Sequence, residues 1–294
     1  MLGKRTDLAL EAAQAVADAA GLEGVEQTER TQDGVTVTVV ELQTQEAAQR
    51  VGKPVGRYVT LDLGAVRRRE KEGFQRACQT LAEELAKLLP EGTGTVLVAG
   101  LGNRAITPDA VGPLAHDHLL VTRHLIEQLP EIFGSFRPVA AVSAGVLGTT
   151  GVESVELVRA VAEALRPDCV IAIDALAAGS MKRLCTTVQL ADTGIAPGSG
   201  VGNCRKALNR ESLGVPVIAV GVPTVVDVNT LARDVLEEAG KGDIEPEALG
   251  QSGAFVTTRD IDERVAECAK LIGYAVNLAV QRGLSIEDIE GLVE

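Results

Sequence analysis

The sequence predicts an α/β fold of three layers, a twisted and mostly parallel sheet with helices on both faces. Three observations predict it. Short β-branched runs recur along the chain, and most are continuously apolar, as strands covered on both faces must be. Longer segments of helical period stand between them, and strand–helix–strand alternation implies parallel strands joined by crossover helices. Aromatic residues make up only 2% of the chain with no Trp, so Val, Leu, Ile and Ala must build the core.

In chain order, residues 6–20 read as a helix, with Thr6 a candidate cap and Asp7 and Glu11 near the positive end of its dipole. Strand runs follow at 35–40 and 58–63. Residues 72–89 form a helix whose apolar stripe is Phe74, Ala77, Cys78, Leu81, Leu85, Leu88 and Leu89. Strands at 95–99 and 138–142 precede a helix at 153–165, striped by Val155, Val158, Val161, Ala162 and Leu165. Further strands are expected at 169–173, 186–190 and 215–220. Residues 240–253, rich in Gly, Pro and Glu, read as a linker or surface loop. Beyond them, 260–280 reads as a long helix and 285–293 as a short one opened by a capping box of Ser285 and Asp288. The expected division is an α/β catalytic domain over 1–239 that includes the N-terminal segment, the 240–253 loop, and a C-terminal helical segment over 254–294 packing on the core.

Composition narrows the function classes. The 294 residues are 46% hydrophobic, which excludes a disordered tail, because such chains lack the apolar content that offsets ordering entropy. Basic residues number 28 against 41 acidic, a net charge of −13, which argues against direct binding to nucleic acid or an anionic membrane. No run is long enough to span a bilayer and no signal peptide opens the sequence. The cysteines at 78, 169, 185, 204 and 268 form no CxxC pair and suit reduced thiols. A cytoplasmic protein is expected.

Ligands of open α/β sheets bind beyond the carboxyl ends of the strands. Four aspartates fall there: Asp109 in the loop after 95–99, Asp174 at the end of 169–173, Asp192 after 186–190, and Asp227 beyond a Gly-Val-Pro turn after 215–220. One such aspartate serves as readily as a helix N-cap. Several converging on one edge suggest carboxyls that share a proton, since neighbouring like charges do not both ionise cheaply. One protonated and one ionised carboxyl suffice to activate water and protonate a leaving amide.

Other motifs carry weaker chemistry. Gly100-x-Gly102-x-x-Ala105 after a strand resembles a dinucleotide fingerprint. Against it, Pro108 stands where the phosphate-binding helix should run, and the strand at 138–142 ends at Ser143 with no acidic residue to hold a ribose. Asp192-Thr193-Gly194 matches the pepsin triplet, but pepsin-like enzymes are β-rich and need two such loops. The glycine-rich stretch 195–203, with Gly198, Ser199 and Gly200, can bring backbone N–H groups to a ligand or oxyanion. His116, His118 and His124 lack the spacing of a zinc site. The serines lack a Gly-x-Ser-x-Gly elbow, and no His is paired with Cys185 or Cys204.

Longer motifs point to a family. Arg5-Thr6-Asp7-Leu8-Ala9-Leu10-Glu11-Ala12, the run from Gly102-Asn103 to Thr107-Pro108-Asp109-Ala110, Thr149-Thr150-Gly151-Val152-Glu153 and Ile173-Asp174-Ala175-Leu176 resemble the germination protease of spore-forming bacteria. So do Asp192-Thr193-Gly194-Ile195, Pro197 through Asn203, and Gly221-Val222-Pro223-Thr224-Val225-Val226-Asp227. The resemblance spans nearly the whole chain. It implies a cytoplasmic endopeptidase of the forespore and spore core that degrades small acid-soluble spore proteins at germination. It further implies an atypical aspartic protease, assembled as a homotetramer and stored as a self-processing zymogen. The carboxylates it assigns to the chemistry fall on Asp109 and Asp174. Asp192, Thr193, Gly198, Ser199, Gly200 and Asn103 are the candidates to hold substrate or the oxyanion, and a dyad with Asp192 in place of Asp174 is the runner-up. Thr6-Asp7-Leu8-Ala9 resembles the Thr-Glu-aliphatic-Ala site that the family cuts, which implies self-cleavage between Asp7 and Leu8. No cofactor or metal is expected. The fold also looks like that of hydrogenase maturation proteases, within a phosphorylase-like architecture, so a metal-dependent endopeptidase is one alternative. A nucleotide-binding α/β enzyme using the Gly100-x-Gly102 loop is the other.

Overall fold

A computed structural model describes residues 5–20, 23–198, 206–240 and 253–293. In chain order the elements are α1 (Ala9–Ala20), β1 (Val25–Gln32), β2 (Val35–Leu42), α2 (Gln45–Val51), β3 (Gly56–Asp62), α3 (Gly64–Arg67), α4 (Gly73–Leu88) and β4 (Val96–Leu101). A 3₁₀ turn, Thr107–Asp109, leads to α5 (Val111–His116), α6 (Arg123–Gln128), α7 (Pro130–Phe133), β5 (Val139–Gly145), α8 (Leu147–Thr150) and α9 (Ser154–Leu165), and a second lies at Met181–Arg183. Then come β6 (Cys169–Ala178), β7 (Thr187–Ala191), α10 (Arg210–Leu213), β8 (Val217–Asp227), α11 (Val228–Glu238), β9 (Phe255–Val256), α12 (Ile261–Val280) and α13 (Ile286–Val293).

The strands form one sheet in the order β1-β2-β3-β7-β8-β6-β4-β5, with β9 added to the end of β8. The parallel pairings lie in one half, where β8, β6, β4 and β5 run together. The β1-β2-β3-β7 half is antiparallel and joins the rest through β7 and β8. Its outer strand β1 escapes the hydrophobic pattern because VEQTERTQ is polar and mostly exposed. A signal was nonetheless present: Asp33 and Gly34 both have positive φ, the two-residue turn that Asp-Gly favours in hairpins.

Helices cover both faces. On one, α4, α5 and α12 pack on the inward residues of β2, β3, β4, β6 and β8, with Leu81, Leu85, Val111, Leu271 and Ile272 among the buried set. On the other, α9 buries Val155, Val158 and Ala162 against β4 and β6, while α1 and α2 cover Val40, Leu42 and Tyr58. Alternate strand residues thus feed opposite layers, for example Val39 and Val40 on β2. The long C-terminal helix α12 is embedded in the first layer. Its Tyr274 is fully buried against Phe74 and His118, and Asn277 accepts from Leu120 N and donates to the His118 carbonyl. The capping box before α13 is formed, with Ser285 N donating to Asp288 Oδ2 and Asp288 N to Ser285 Oγ. The expected helix at 6–20 starts later, at Ala9. Thr6 instead closes a local turn by accepting from Leu8 N and donates its hydroxyl to Glu11. Most of the expected 240–253 loop lies outside the described residues.

Two strands outrun their sequence patterns. β6 continues five residues past Ile173, and β8 runs through Gly221-Val222-Pro223 to Asp227 with no turn there. Each stays in the sheet because the other is its partner: Asp174 pairs with Gly221 and Ala178 with Val226. Pairing of β6 with β4 stops at Ile173. Asp174 is therefore not a strand end. It is the first residue beyond the last β4 pairing.

Candidate active site

β4 is buried along its whole length and delivers the chain into Gly102, whose φ of 107° suits glycine. A Cβ at Gly102 would stand 2.0 Å from the Asp109 carbonyl oxygen, so the loop folds back on itself only because none is there. Asn103 N then donates to Asp109 Oδ2 at 2.8 Å, and the Asn103 side chain accepts from Ala105 N. The proline in Thr107-Pro108-Asp109 suits a tight first turn, and Thr224 of β8 donates its hydroxyl to the Pro108 carbonyl at 2.6 Å. One turn later Gly112 allows a close approach: a Cβ there would meet the carbonyl oxygens of Leu101 and Ile173 at 2.3 and 2.5 Å. The Asp109 turn is thereby pressed onto the end of β4 and the middle of β6.

Asp174 on β6 is only 4% exposed and accepts from Ala175 N at 2.9 Å. Asp109 and Asp174 line the same cavity of about 430 Å³. Its lining also includes Ile106, Leu176, Val225 and Phe255, apolar surface suited to peptide side chains, and Pro197 and Gly198. Gly198, with φ of 71°, is the described member of the glycine-rich loop; Ser199, Gly200 and Cys204 lie outside the described residues.

The other two aspartates are differently employed. Asp192 Oδ1 accepts from Arg57 N across the β3–β7 pair, and Asp192 does not line the cavity that Asp109 and Asp174 share. Asp227 caps α11, its Oδ1 accepting from Asn229 N and Thr230 N. The runner-up dyad of Asp109 with Asp192 therefore lacks a common cavity. Thr193 lines a neighbouring cavity of about 210 Å³ with Tyr58, whose hydroxyl burial pushes up to about 12.

Asp7 lines both cavities. Its N–H donates to the Ala177 carbonyl at 2.8 Å, and Ala177 N donates to Asp7 Oδ2 at 2.9 Å. Gln189 Nε2 reaches the Asp7 carbonyl at 3.3 Å while its Oε1 accepts from Ala9 N. Leu8 is fully buried among Leu176, Ala178, Leu184 and Val226. Glu11 accepts from Gly179 N and from the Thr6 hydroxyl; burial raises its carboxyl above the usual range against those two bonds. Lys53 and Gln189 escaped the sequence reading, since Gly52-Lys53-Pro54 and a glutamine inside an apolar strand carry no motif.

Two alternatives can be set against this geometry. The Gly100-x-Gly102 loop turns its Asn103 N–H onto Asp109, so a carboxylate of the chain takes a donor that a phosphate would need. Among the described residues no group of three or more His, Cys, Asp and Glu is assembled, and no histidine lines the cavity. No helix among them is long and apolar enough to cross a membrane.

Comparison with known proteins agrees in one direction. The sequence model of the germination protease family matches residues 5–241. The germination protease of Clostridium perfringens is 38% identical over 98% of this chain and 98% of its own length. That of Caldanaerobacter subterraneus subsp. tengcongensis is 39% identical over 100% of this chain and 99% of its own. A Bacillus velezensis germination protease reaches 46% over 79% of this chain and 66% of its own. With a family match over most of the residues and relatives aligned end to end, the chain belongs to the germination protease family and is a protease.

Proposed function

We propose that the chain is an endopeptidase that degrades small acid-soluble spore proteins at germination, with a water activated between Asp109 and Asp174. What supports it above all is that these two carboxylates, one from the turn after β4 and one from β6, line one cavity together with the chain's own Asp7. In the mechanism one carboxyl is ionised and one protonated. The ionised group takes a proton from water as the oxygen attacks the peptide carbonyl carbon, and the protonated group donates to the carbonyl oxygen. Collapse of the tetrahedral species breaks the C–N bond; the amine leaves with the proton that the first carboxyl took from water, and the second carboxyl regains its proton from the former carbonyl oxygen. Gly198, which lines the cavity, is assigned to present backbone N–H to substrate together with the Ser199 and Gly200 that follow it in sequence. Asn103 acts by holding Asp109 through its N–H.

The same proposal includes storage as a zymogen that cuts between Asp7 and Leu8, assembly as a homotetramer, and residence in the forespore and spore core. Incubation with a purified small acid-soluble spore protein tests the activity, with cuts expected after Glu in Thr-Glu-aliphatic-Ala. Intact substrate after prolonged incubation with chain already cleaved at Asp7–Leu8 would overturn it. N-terminal sequencing before and after mild acidification tests the processing step, with Leu8 expected as the new terminus.

A further inference from the structure

The N-terminal segment is held at β6 as a peptide ligand would be. Beyond Ile173 the β4 side of β6 loses its strand partner, and Ala177 turns both of its main-chain groups to Asp7. The first of these bonds is main chain to main chain, the kind by which an exposed strand edge captures an extended peptide, and the second falls on the Asp7 carboxylate. The carboxylate of Asp7 lies between the Ala177 N–H and Lys53, whose Nζ stands 4.0 Å from Asp7 Oδ1 and donates to the Thr6 carbonyl at 3.3 Å. Neither side chain is well solvated, at 18% exposure for Lys53 and 11% for Asp7. A mostly buried cation needs an anionic partner, or it leaves a desolvated charge uncompensated. Gln189 meanwhile donates to the carbonyl of the same residue, at the peptide bond that leads to buried Leu8.

We infer that Lys53, the Ala177 N–H and Gln189 form the subsite that receives the acidic residue preceding the cleaved bond of a substrate peptide, with Asp7 as its intramolecular occupant. This rests on the endopeptidase reading and names the specificity determinant of that site. The fit favours a longer acid than the one present. At 4.0 Å the Lys53–Asp7 pair exceeds the 2.7–2.9 Å of a charge-assisted hydrogen bond by about 1.2 Å, close to the reach that one methylene adds. Glutamate closes that gap where aspartate does not, and glutamine places no charge there. Burial lowers the Lys53 ammonium below its usual value while Asp7 opposes the shift, consistent with a subsite built for an anion.

The test compares quenched peptides Thr-Xaa-Leu-Ala with Xaa as Glu, Asp or Gln on the chain before and after it is cut at Asp7–Leu8. Asp7 competes equally with all three, so ratios of kcat/KM are unaffected by its presence. The expected order is Glu, then Asp, then Gln, with Glu over Gln by about tenfold or more, as a charged hydrogen bond supplies. Lys53→Met should bring that ratio to within about twofold, and Lys53→Arg should restore it. Retention of the wild-type ratio by Lys53→Met overturns the subsite. Anisotropy of labelled Glu and Gln peptides on the Asp109→Asn chain, with and without Lys53→Met, reads the same preference without turnover. Lys53-dependent binding with no cleavage by wild-type chain already cut at Asp7–Leu8 would overturn the endopeptidase reading and leave the subsite standing; cleavage indifferent to Lys53 would do the reverse.

Discussion

The turn after β4, the stretch of β6 beyond its last β4 pairing, and the ends of β7 and β8 all carry an aspartate, yet the four make different contacts. Asp109 and Asp174 line one cavity. Asp192 and Asp227 are tied into the framework, one to Arg57 N and the other as the cap of α11. A place near a strand end therefore does not by itself bring an aspartate to the cavity. What separates the pairs is glycine-permitted backbone contact, at Gly102 and Gly112, which presses the Asp109 turn against β6.

The comparison is broken most directly by charge removal. Asp109→Asn and Asp174→Asn should each lower kcat on a spore-protein substrate by about 100- to 10,000-fold, the range for losing a positioned acid or base. Asp192→Asn should keep turnover of the same order, because an amide oxygen still accepts from Arg57 N. Steady-state kinetics with circular dichroism as a fold control decides it, and an inactive Asp192→Asn enzyme that folds normally would return Asp192 to the chemistry.

A second substitution attacks the glycine contact itself. Gly102→Ala places a Cβ 2.0 Å from the Asp109 carbonyl oxygen and must displace the turn. A shift of that kind costs about 100-fold in kcat/KM when it misplaces a reacting group. Unchanged kinetics would show that the turn does not position Asp109.

The structural aspartates should respond in stability alone. Asp227→Ala removes the acceptor of two backbone N–H groups and should cost about 1–2 kcal/mol in urea denaturation. Activity per folded molecule should hold. The smallest effect is expected at Asp260, ahead of α12, whose carboxyl the Arg264 hydrogen bond holds at about 2. A depressed carboxylate stabilises fully above its ordinary value of 3.8, and its contribution disappears as pH falls through about 2. Asp260→Asn should therefore flatten the acid limb of stability between those values and leave stability above pH 5 insensitive to pH from this source. An unaltered acid limb would assign that dependence to other groups.

Much of this molecule is legible in its sequence. Apolar runs marked β2 through β8, and periodic stripes marked α4, α9 and α12, because burial on one or both faces writes itself into local hydrophobic order. β1 was illegible for the converse reason, since an edge strand that buries little keeps a polar sequence. The extra lengths of β6 and β8 were hidden as well. They depend on each other's company, and nothing in Asp174-Ala175-Leu176 says whether the sheet continues there.

By itself, then, the sequence determined the family, the layer architecture and the short set of aspartates from which the chemistry must be drawn, because motifs and periodicity are properties of neighbouring residues. Only the tertiary structure decided which aspartates share a cavity and what lies beside them. Lys53, Gln189 and Asp7 meet across 182 positions of chain at most, beside the part of β6 that β4 no longer pairs, while the approach of the Asp109 turn to β6 depends on the absence of two β-carbons. Those are contacts between distant segments, set by how the layers close on one another, and no local pattern encodes them.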